Sequence, residues 1–155
     1  MTDSSTVNVA VVQAAACPFD TEAAVAKVCA MTAEAGSRGA DLVLFPEAYV
    51  GGYPWGLAFG TAVGGRSEPG RRAFGRYHAG AIDVPGPEVD QMCAAAAEAN
   101  VFLCVGVIER DSTYSGGTLY CTLLYISPEG ELVGKHRKLK PTAAERLIWG
   151  EGDCS

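Results

Sequence analysis

Two segments of the sequence carry residues whose types and spacing could do chemistry. In the first, Glu47 follows Phe45 and Pro46 directly after a short apolar run, and Tyr49 and Tyr53 come next. A carboxylate among aromatic rings would be partly desolvated, which suits a general base. The same residue could equally be an N-cap or a surface carboxylate in a turn. The local sequence leaves both interpretations open.

The second segment is basic in an otherwise acidic chain. Residues 135–140 (KHRKLK) hold four cations and a histidine, and Glu145 follows shortly after. One interpretation is a solvated strand end that attracts anions. The other is that one lysine points inward, where it would stabilise developing negative charge as an oxyanion donor does. Glu145 would then hold that lysine in place and keep it charged.

The six cysteines give little support for a metal site or for disulfides. None forms a CxxC pair, and the chain has only two histidines, His78 and His136. A structural zinc site is therefore not expected. Four of the cysteines lie within apolar patterns, where small buried hydrophobic side chains are the simplest interpretation. These four are Cys29, Cys93, Cys104 and Cys121.

Composition excludes several classes of protein. The chain has 155 residues, the length of one domain, and 48% of them are hydrophobic, which excludes a disordered chain. The net charge of −6 argues against a nucleic-acid partner. No apolar run reaches the roughly 18 residues of a membrane span. The first five residues, MTDSS, lack a basic segment typical of secretion signals, so we expect a cytoplasmic protein without a membrane partner.

The elements that must position the two segments follow an α/β order. Valine-rich runs and amphipathic stretches alternate along the chain, and Asp20, Pro87 and Asn100 are helix start and stop signals. Glycines and prolines crowd residues 46–70, so no regular element is expected there, and such a loop after a strand is often functional. We predict buried strands at 7–13, 41–45, 101–108 and 119–126, a hairpin to 132–133, and helices at 20–37, 71–79 and 87–99.

Several stretches carry a resemblance to a known family. Residues 39–54 (GADLVLFPEAYVGGYP) are similar to the first active-site signature of the nitrilase, or carbon–nitrogen hydrolase, superfamily. Residues 134–142 (GKHRKLKPT) resemble its lysine motif, and residues 145–153 continue the match in the nitrilase branch. Residues 78–87, 106–110 and 118–122 are similar to plant-type nitrilases. Together these motifs cover nearly all of residues 7–153.

The resemblance implies a fold and a chemistry. The fold would be the N-terminal portion of an α-β-β-α sandwich. Glu47 matches the family's general base, and Glu145 matches its second glutamate. Lys138 matches the catalytic lysine, and Lys135 and Lys140 are weaker alternatives for that role. In the family, a cysteine thiolate attacks an organic nitrile to give a thioimidate, and two waters then release ammonia and the carboxylic acid. No metal or organic cofactor is implied, and homo-oligomers are typical.

Two aromatic residues in the glycine-rich loop are candidates for substrate binding. Tyr53 and Trp55 lie in the run GGYPWG, and aromatic side chains suit an apolar nitrile. Simple packing of the loop is an equally good interpretation. The same run favours a nitrilase over an amidase by resemblance.

The family's nucleophile motif, of the Cys-Trp-Glu type, is not found in this sequence. Cys17 and Cys154 are poor substitutes, since neither carries that motif. We therefore expect a domain at 7–155 that stops before the nucleophile, a flexible N-terminus at 1–6, and no activity of this chain alone. The alternatives are a cyanide or cyanoalanine hydratase, an aliphatic amidase, or an inactive fragment that acts only in binding or subunit association.

Overall fold

A five-stranded mixed sheet forms the centre of the chain. The computed structural model describes residues 6–153, so Cys154 and most of the predicted flexible N-terminus lie outside the described residues. In chain order the main strands are β1 (Val9–Val11), β2 (Leu42–Leu44), β5 (Phe102–Arg110), β6 (Leu119–Ile126) and β7 (Leu132–Arg137). Their order in the sheet is β1-β2-β5-β6-β7. Strands β1, β2 and β5 run parallel to one another, whereas β6 is antiparallel to both β5 and β7.

Two helices cover one face of this sheet, and both begin and end at residues that the sequence marks. Helix α1 (Thr21–Ser37) is capped by Asp20, whose Oδ1 accepts a hydrogen bond from the Ala23 amide. Helix α3 (Pro87–Ala99) ends at Asn100 in the left-handed conformation. Val28 of α1 and Met92 of α3 are fully buried in one apolar cluster with Val105 and Val107 of β5. The predicted helices at 20–37 and 87–99 are therefore confirmed.

The opposite face of the sheet is open at its first two strands. Val9 and Val11 are 54% and 65% exposed, and Leu44 is 37% exposed, whereas their neighbour Val43 is fully buried. The prediction of a buried first strand is wrong for this face. Side chains of a strand alternate between the two faces, and the helices cover only one of them in the part of the chain that the structure describes.

The glycine-rich loop is more regular than predicted. A two-stranded hairpin of β3 (Thr61–Ala62) and β4 (Gly65–Arg66) lies within residues 46–70. Helix α2 (Glu68–Ala79) begins three residues earlier than predicted, because Ser67 caps it and accepts from the Gly70 amide. A second apolar cluster forms against the ends of β5 and β6, and it contains Phe59, Tyr77 and Trp149.

Candidate active site

The first site residue, Glu47, is held at the carboxyl end of β2. After β2 the backbone of residues 45–50 runs beside β5. The Phe45 amide donates a hydrogen bond to the Cys104 carbonyl, and the Val50 amide donates one to the Gly106 carbonyl. Gly106 allows this close approach, because a Cβ there would lie 2.4 Å from the Pro46 carbonyl oxygen. The backbone on both sides of Glu47 is thereby fixed. Its side chain is 48% exposed and faces the end of β7.

Lys138 lies immediately after β7 and meets Glu47 from the other side. Its amide bonds the Cys121 carbonyl, which continues the ladder between β6 and β7. Its Nζ lies 2.8 Å from Glu47 Oε1 and 2.9 Å from Glu145 Oε2. Burial would lower the pKa of Lys138, but the hydrogen bonds to the two carboxylates outweigh it and raise that pKa. The lysine is therefore a permanent cation between two carboxylates.

Glu145 completes the cluster from a short 3-10 helix (Ala143–Leu147). Its side chain is 11% exposed, and Oε2 also accepts from the Thr142 amide. Oε1 accepts a hydrogen bond of 2.6 Å from the Tyr53 hydroxyl. Burial raises the pKa of Glu145, but the donors Tyr53, Thr142 and Lys138 together lower it below its usual value. Glu145 is thus an ionised, immobilised partner for Lys138 and not an acid that exchanges protons near neutral pH.

The two aromatic candidates occupy different positions. Tyr53 is 39% exposed, and its ring lies edge-on to Trp149 at 5.5 Å while its hydroxyl bonds Glu145. The bond to Glu145 raises the pKa of Tyr53. Trp55 is 86% exposed, and both rings line a separate cleft with Phe19 and Tyr77. The structure therefore brings Tyr53 to the charged cluster and places Trp55 at the surface beside it.

A cavity of about 440 Å³ opens beside the charged cluster. Glu47 and Lys138 lie in its wall with His136, and the remaining wall is mostly apolar. Such a cavity has room for a small organic molecule whose apolar part contacts the sheet while its polar end meets the charges. The apolar lining includes Leu44, Phe45, Gly106, Cys121, Leu123 and Leu139.

Cys121 also belongs to this site, which sequence reasoning missed. Its thiol donates to Glu47 Oε1 at 3.5 Å, the same oxygen that Lys138 contacts. Burial and the nearby carboxylate of Glu47 raise the pKa of Cys121 to about 12. The thiol is therefore protonated at neutral pH and is a weak nucleophile. Only the pairing of β6 with β7 reveals this neighbour, since it places Cys121 beside Lys138.

The remaining cysteines have varied surroundings. Cys104 is buried as predicted, whereas Cys29 and Cys93 are only partly buried. Cys17 lies in the loop after β1 and packs against the apolar cluster under the helices. Cys154 is outside the described residues. Within residues 6–153, no group of three metal-ligating side chains lies close enough together to hold a metal ion.

A buried carboxylate behind the site was also missed. Glu109 is 1% exposed and binds Lys135, Arg137 and the Thr122 hydroxyl on the helix side of the sheet. Burial raises the pKa of Glu109, but hydrogen bonds from Arg137, Lys135 and Thr122 outweigh it and lower the pKa. The alternation of β7 then directs His136 and Lys138 to the opposite, cavity side. The lysine that reaches Glu47 is Lys138, and Lys135 faces the other way.

These contacts define what the cluster can do. Glu47 offers a carboxylate that can accept a proton, and Lys138 offers a cation that can stabilise a developing anion. Cys121 and Lys138 both contact Oε1 of Glu47, so two donors fix the orientation of the carboxylate. The arrangement suits base-assisted attack on a carbon–nitrogen bond, provided that a reactive nucleophile is supplied.

Comparisons with known proteins match one family over nearly the whole chain. A family model described as carbon-nitrogen hydrolase matches residues 8–154. A bifunctional nitrilase/nitrile hydratase of Nicotiana tabacum is 53% identical over 150 residues, which cover 97% of this chain and 42% of that protein. An aliphatic nitrilase of Sinorhizobium fredii is 56% identical over 146 residues, which cover 94% of this chain and 46% of that protein. The chain thus spans less than half the length of the curated relatives it matches.

Solved structures show the same fold at low sequence identity. An amidase from Nesterenkonia sp. superposes with a TM-score of 0.63 at 17% identity, over 95% of this chain and 48% of the amidase. A carbon-nitrogen hydrolase from Helicobacter pylori gives the same TM-score and identity, over 95% of this chain and 45% of that hydrolase. The predicted α/β fold, as the N-terminal portion of a nitrilase-type sandwich, is confirmed. No helix in the described part of the chain has the length and apolarity to cross a membrane.

Proposed function

Because this chain belongs to the carbon–nitrogen hydrolase family, we propose that it supplies the general base and the cation of a nitrilase-type active site. The observation that carries the proposal is the position of Lys138 Nζ, within 2.9 Å of both Glu47 and Glu145. The substrate would be an organic nitrile, and the products a carboxylic acid and ammonia. Relatives that are 51–56% identical to this chain are named nitrilases, which supports the nitrile over other substrates.

In this proposal, Glu47 acts as the base and Lys138 as the electrostatic partner. Glu47 accepts the proton of a cysteine thiol as the sulfur attacks the nitrile carbon, and the nitrile nitrogen takes up a proton to give a thioimidate. Water adds to the thioimidate, and the C–N bond breaks to release ammonia and leave a thioester. A second water breaks the C–S bond and regenerates the thiol. Lys138 stabilises the negative charge of the tetrahedral species.

We further propose that the nucleophilic cysteine comes from outside the described residues. Cys121 is close to Glu47, but its protonated, buried thiol is unsuited to the attack. Tyr53 would orient Glu145 through its hydroxyl. The substrate contacts of Tyr53 and Trp55 stay predictions. Homo-oligomeric assembly and a cytoplasmic location also stay predictions.

One alternative product has a specific observation in its favour. A relative from Nicotiana tabacum is named a bifunctional nitrilase/nitrile hydratase, so a nitrile in this family can yield two products. If the tetrahedral intermediate expels sulfur instead of ammonia, the C–S bond breaks and the amide is released. Both outcomes require the same Glu47 and Lys138.

A ¹³C-labelled nitrile tests the proposal. The native gene product is incubated with an aryl and an aliphatic nitrile labelled at the nitrile carbon, and NMR follows the carboxylate and amide carbons while ammonia is assayed separately. We expect carboxylate and ammonia in equal amounts. Glu47→Gln should abolish both, and the exposed Glu129→Gln on the β6–β7 turn should not change them. Amide as the sole product would identify a hydratase, and failure to consume any nitrile would contradict the proposal.

The 155-residue chain alone provides the second arm of the experiment. We expect no ammonia from it, since no described cysteine is placed as a reactive thiolate beside Glu47. Ammonia release that a Cys154→Ala variant abolishes would show that the chain carries its own nucleophile. Ammonia release that instead requires Cys121 would contradict the assignment of Cys121 as an inert neighbour.

A further inference from the structure

Glu109 is a buried charge that the proposed chemistry does not use. It lies on β5 with 1% of its surface exposed and accepts four hydrogen bonds. Lys135 Nζ donates to Oε1 at 2.7 Å, and Arg137 donates to both oxygens at 2.6 and 3.1 Å. The Thr122 hydroxyl donates to Oε2 at 2.8 Å. A carboxylate buried this deeply is tolerated only because every one of these partners is present.

Arg137 is itself fixed by further contacts. Its guanidinium lies 4.0 Å from the centre of the Tyr120 ring, and Nη1 donates to Asp153 at 2.9 Å. The Gly152 amide bonds the Lys138 carbonyl, so the segment after the 3-10 helix is tied to the same end of β7. The ion cluster therefore joins three parts of the chain around the residue that precedes Lys138.

The pairing of β6 with β7 is irregular beside the turn that joins them. The pairing shifts at Tyr125 and Ile126, where β7 begins. A slip of one residue would move every side chain of a strand to the other face of the sheet. Lys138 would then point toward the helices and away from Glu47, and Glu109 would lose its bonds to Lys135 and Arg137 while it remained buried. The native register is the one in which Glu109 keeps its partners.

We propose that Glu109 is a positioning residue: it locks the register of β7 through Lys135 and Arg137 and thereby holds Lys138 between Glu47 and Glu145. A buried ionic group is best established in such a register-setting role. The functional meaning of this lock rests on the proposed function, since it matters for catalysis only if Lys138 is the catalytic cation. The lock itself is a property of the folded chain.

The test reads the register and the surroundings of Lys138 without any substrate. The chain has four lysines, so ¹³C-lysine labelling gives a spectrum in which Lys138 can be assigned by substitution. Because the Lys138 amide bonds the Cys121 carbonyl, Thr122 and Arg137 form a non-hydrogen-bonded pair with close Hα atoms. The Hα–Hα cross-peak of this pair reports the register, and the titration of the Lys138 Cε signal reports its carboxylate partners.

Glu109→Gln is compared with the control Asp83→Asn. Asp83 pairs with Arg110, the residue that follows Glu109 on β5, so this control breaks a neighbouring ion pair and leaves β7 untouched. In Glu109→Gln, measured well below its melting temperature, we expect the Lys138 titration midpoint to fall by about 1 pH unit. We also expect the Thr122–Arg137 cross-peak to lose at least half of its intensity. Asp83→Asn should change neither. A merely structural role for Glu109 would lower the melting temperature and leave both signals at their parent values.

A folded Glu109→Gln variant with the parent midpoint and cross-peak would overturn the proposal. If Glu109→Gln does not fold, Lys135→Met decides, because it removes one cation and leaves the bonds from Arg137 in place. We expect smaller changes of the same signals in the same direction, and their absence would also overturn the proposal. Loss of nitrile hydrolysis plays no part in this test, so its outcome is separate from that of the proposed function.

Discussion

Replacing Lys138 with methionine removes the cation and keeps most of the side-chain volume, so it isolates the ion pairs of the site. The bond to Glu145 joins side chains that are 26% and 11% exposed. A hydrogen bond to a charged group in such surroundings contributes about 2 kcal/mol. The bond to Glu47, which is 48% exposed, is screened by water and contributes about 0.5 kcal/mol. We expect Lys138→Met to lower the free energy of unfolding by about 2.5 kcal/mol.

The pH dependence of this loss follows from Glu145. Burial raises the pKa of Glu145, but its donors lower it further, so the folded-state pKa lies below the unfolded-state value of about 4.3. The stability that Glu145 contributes is therefore complete above the unfolded-state pKa and is lost as the pH falls through the folded-state pKa. The difference between parent and Lys138→Met should be largest near pH 7 and should shrink below about pH 4.

Urea unfolding followed by circular dichroism at pH 7 and pH 3 measures this difference. At pH 7 the loss corresponds to a fall in melting temperature of about 5–10 °C for a chain of this length. Lys140→Met is the matched control, because Lys140 pairs with Glu151 in a bridge whose side chains are 69% and 53% exposed. We expect no resolvable change from this control. Equal losses from the two variants, or a Lys138→Met loss that persists at pH 3, would refute the reasoning.

Three further substitutions test other parts of the structure. Thr32→Val should raise the free energy of unfolding by about 1 kcal/mol, measured in urea, because the buried Thr32 hydroxyl has no hydrogen-bond partner among residues 6–153. Tyr53→Phe should raise the pKa of Glu145, because it removes the hydroxyl that donates to Glu145 Oε1 at 2.6 Å. NMR of the Glu145 carboxyl carbon measures this pKa, and an unchanged titration midpoint would exclude that hydrogen bond. Gly106→Ala should destabilise by about 3 kcal/mol in thermal melts, because its Cβ would meet the Pro46 carbonyl. Gly75→Ala, with open space around it, is the control and should not destabilise.

Some of the fold could be predicted because its signals are local. Asp20 and Asn100 mark a helix start and a helix end through side-chain capping and the left-handed conformation, and the structure uses both. The exposure of Val9 and Val11 could not be predicted in this way. Whether a valine-rich strand is covered on one face or on both depends on which elements pack against the sheet, and the strand sequence does not contain that information.

The candidate site was predictable in part for the same reason. Motif resemblance identified Glu47, Lys138 and Glu145, and the structure brings their side chains together. Cys121 was missed because it lies in an apolar strand pattern, where a cysteine is interpreted as a small hydrophobic residue. Glu109 was missed because the strand predicted at 101–108 continues to Arg110 and buries it. Their contacts depend on the register of β6 and β7, which is a property of paired strands and not of either strand alone.

The central claim is that Lys138 is the cation of a nitrile-hydrolysing site, and steady-state kinetics of the native gene product test it most directly. Ammonia release from a nitrile is measured for the parent, Lys138→Met and Lys140→Met, at a temperature where melting curves show all three folded. Removal of one donor to a developing anion costs about 10²–10³ in kcat. The account predicts a loss of at least this size for Lys138→Met and parent-like turnover for Lys140→Met. A folded Lys138→Met enzyme whose kcat stays within about tenfold of the parent value would contradict it.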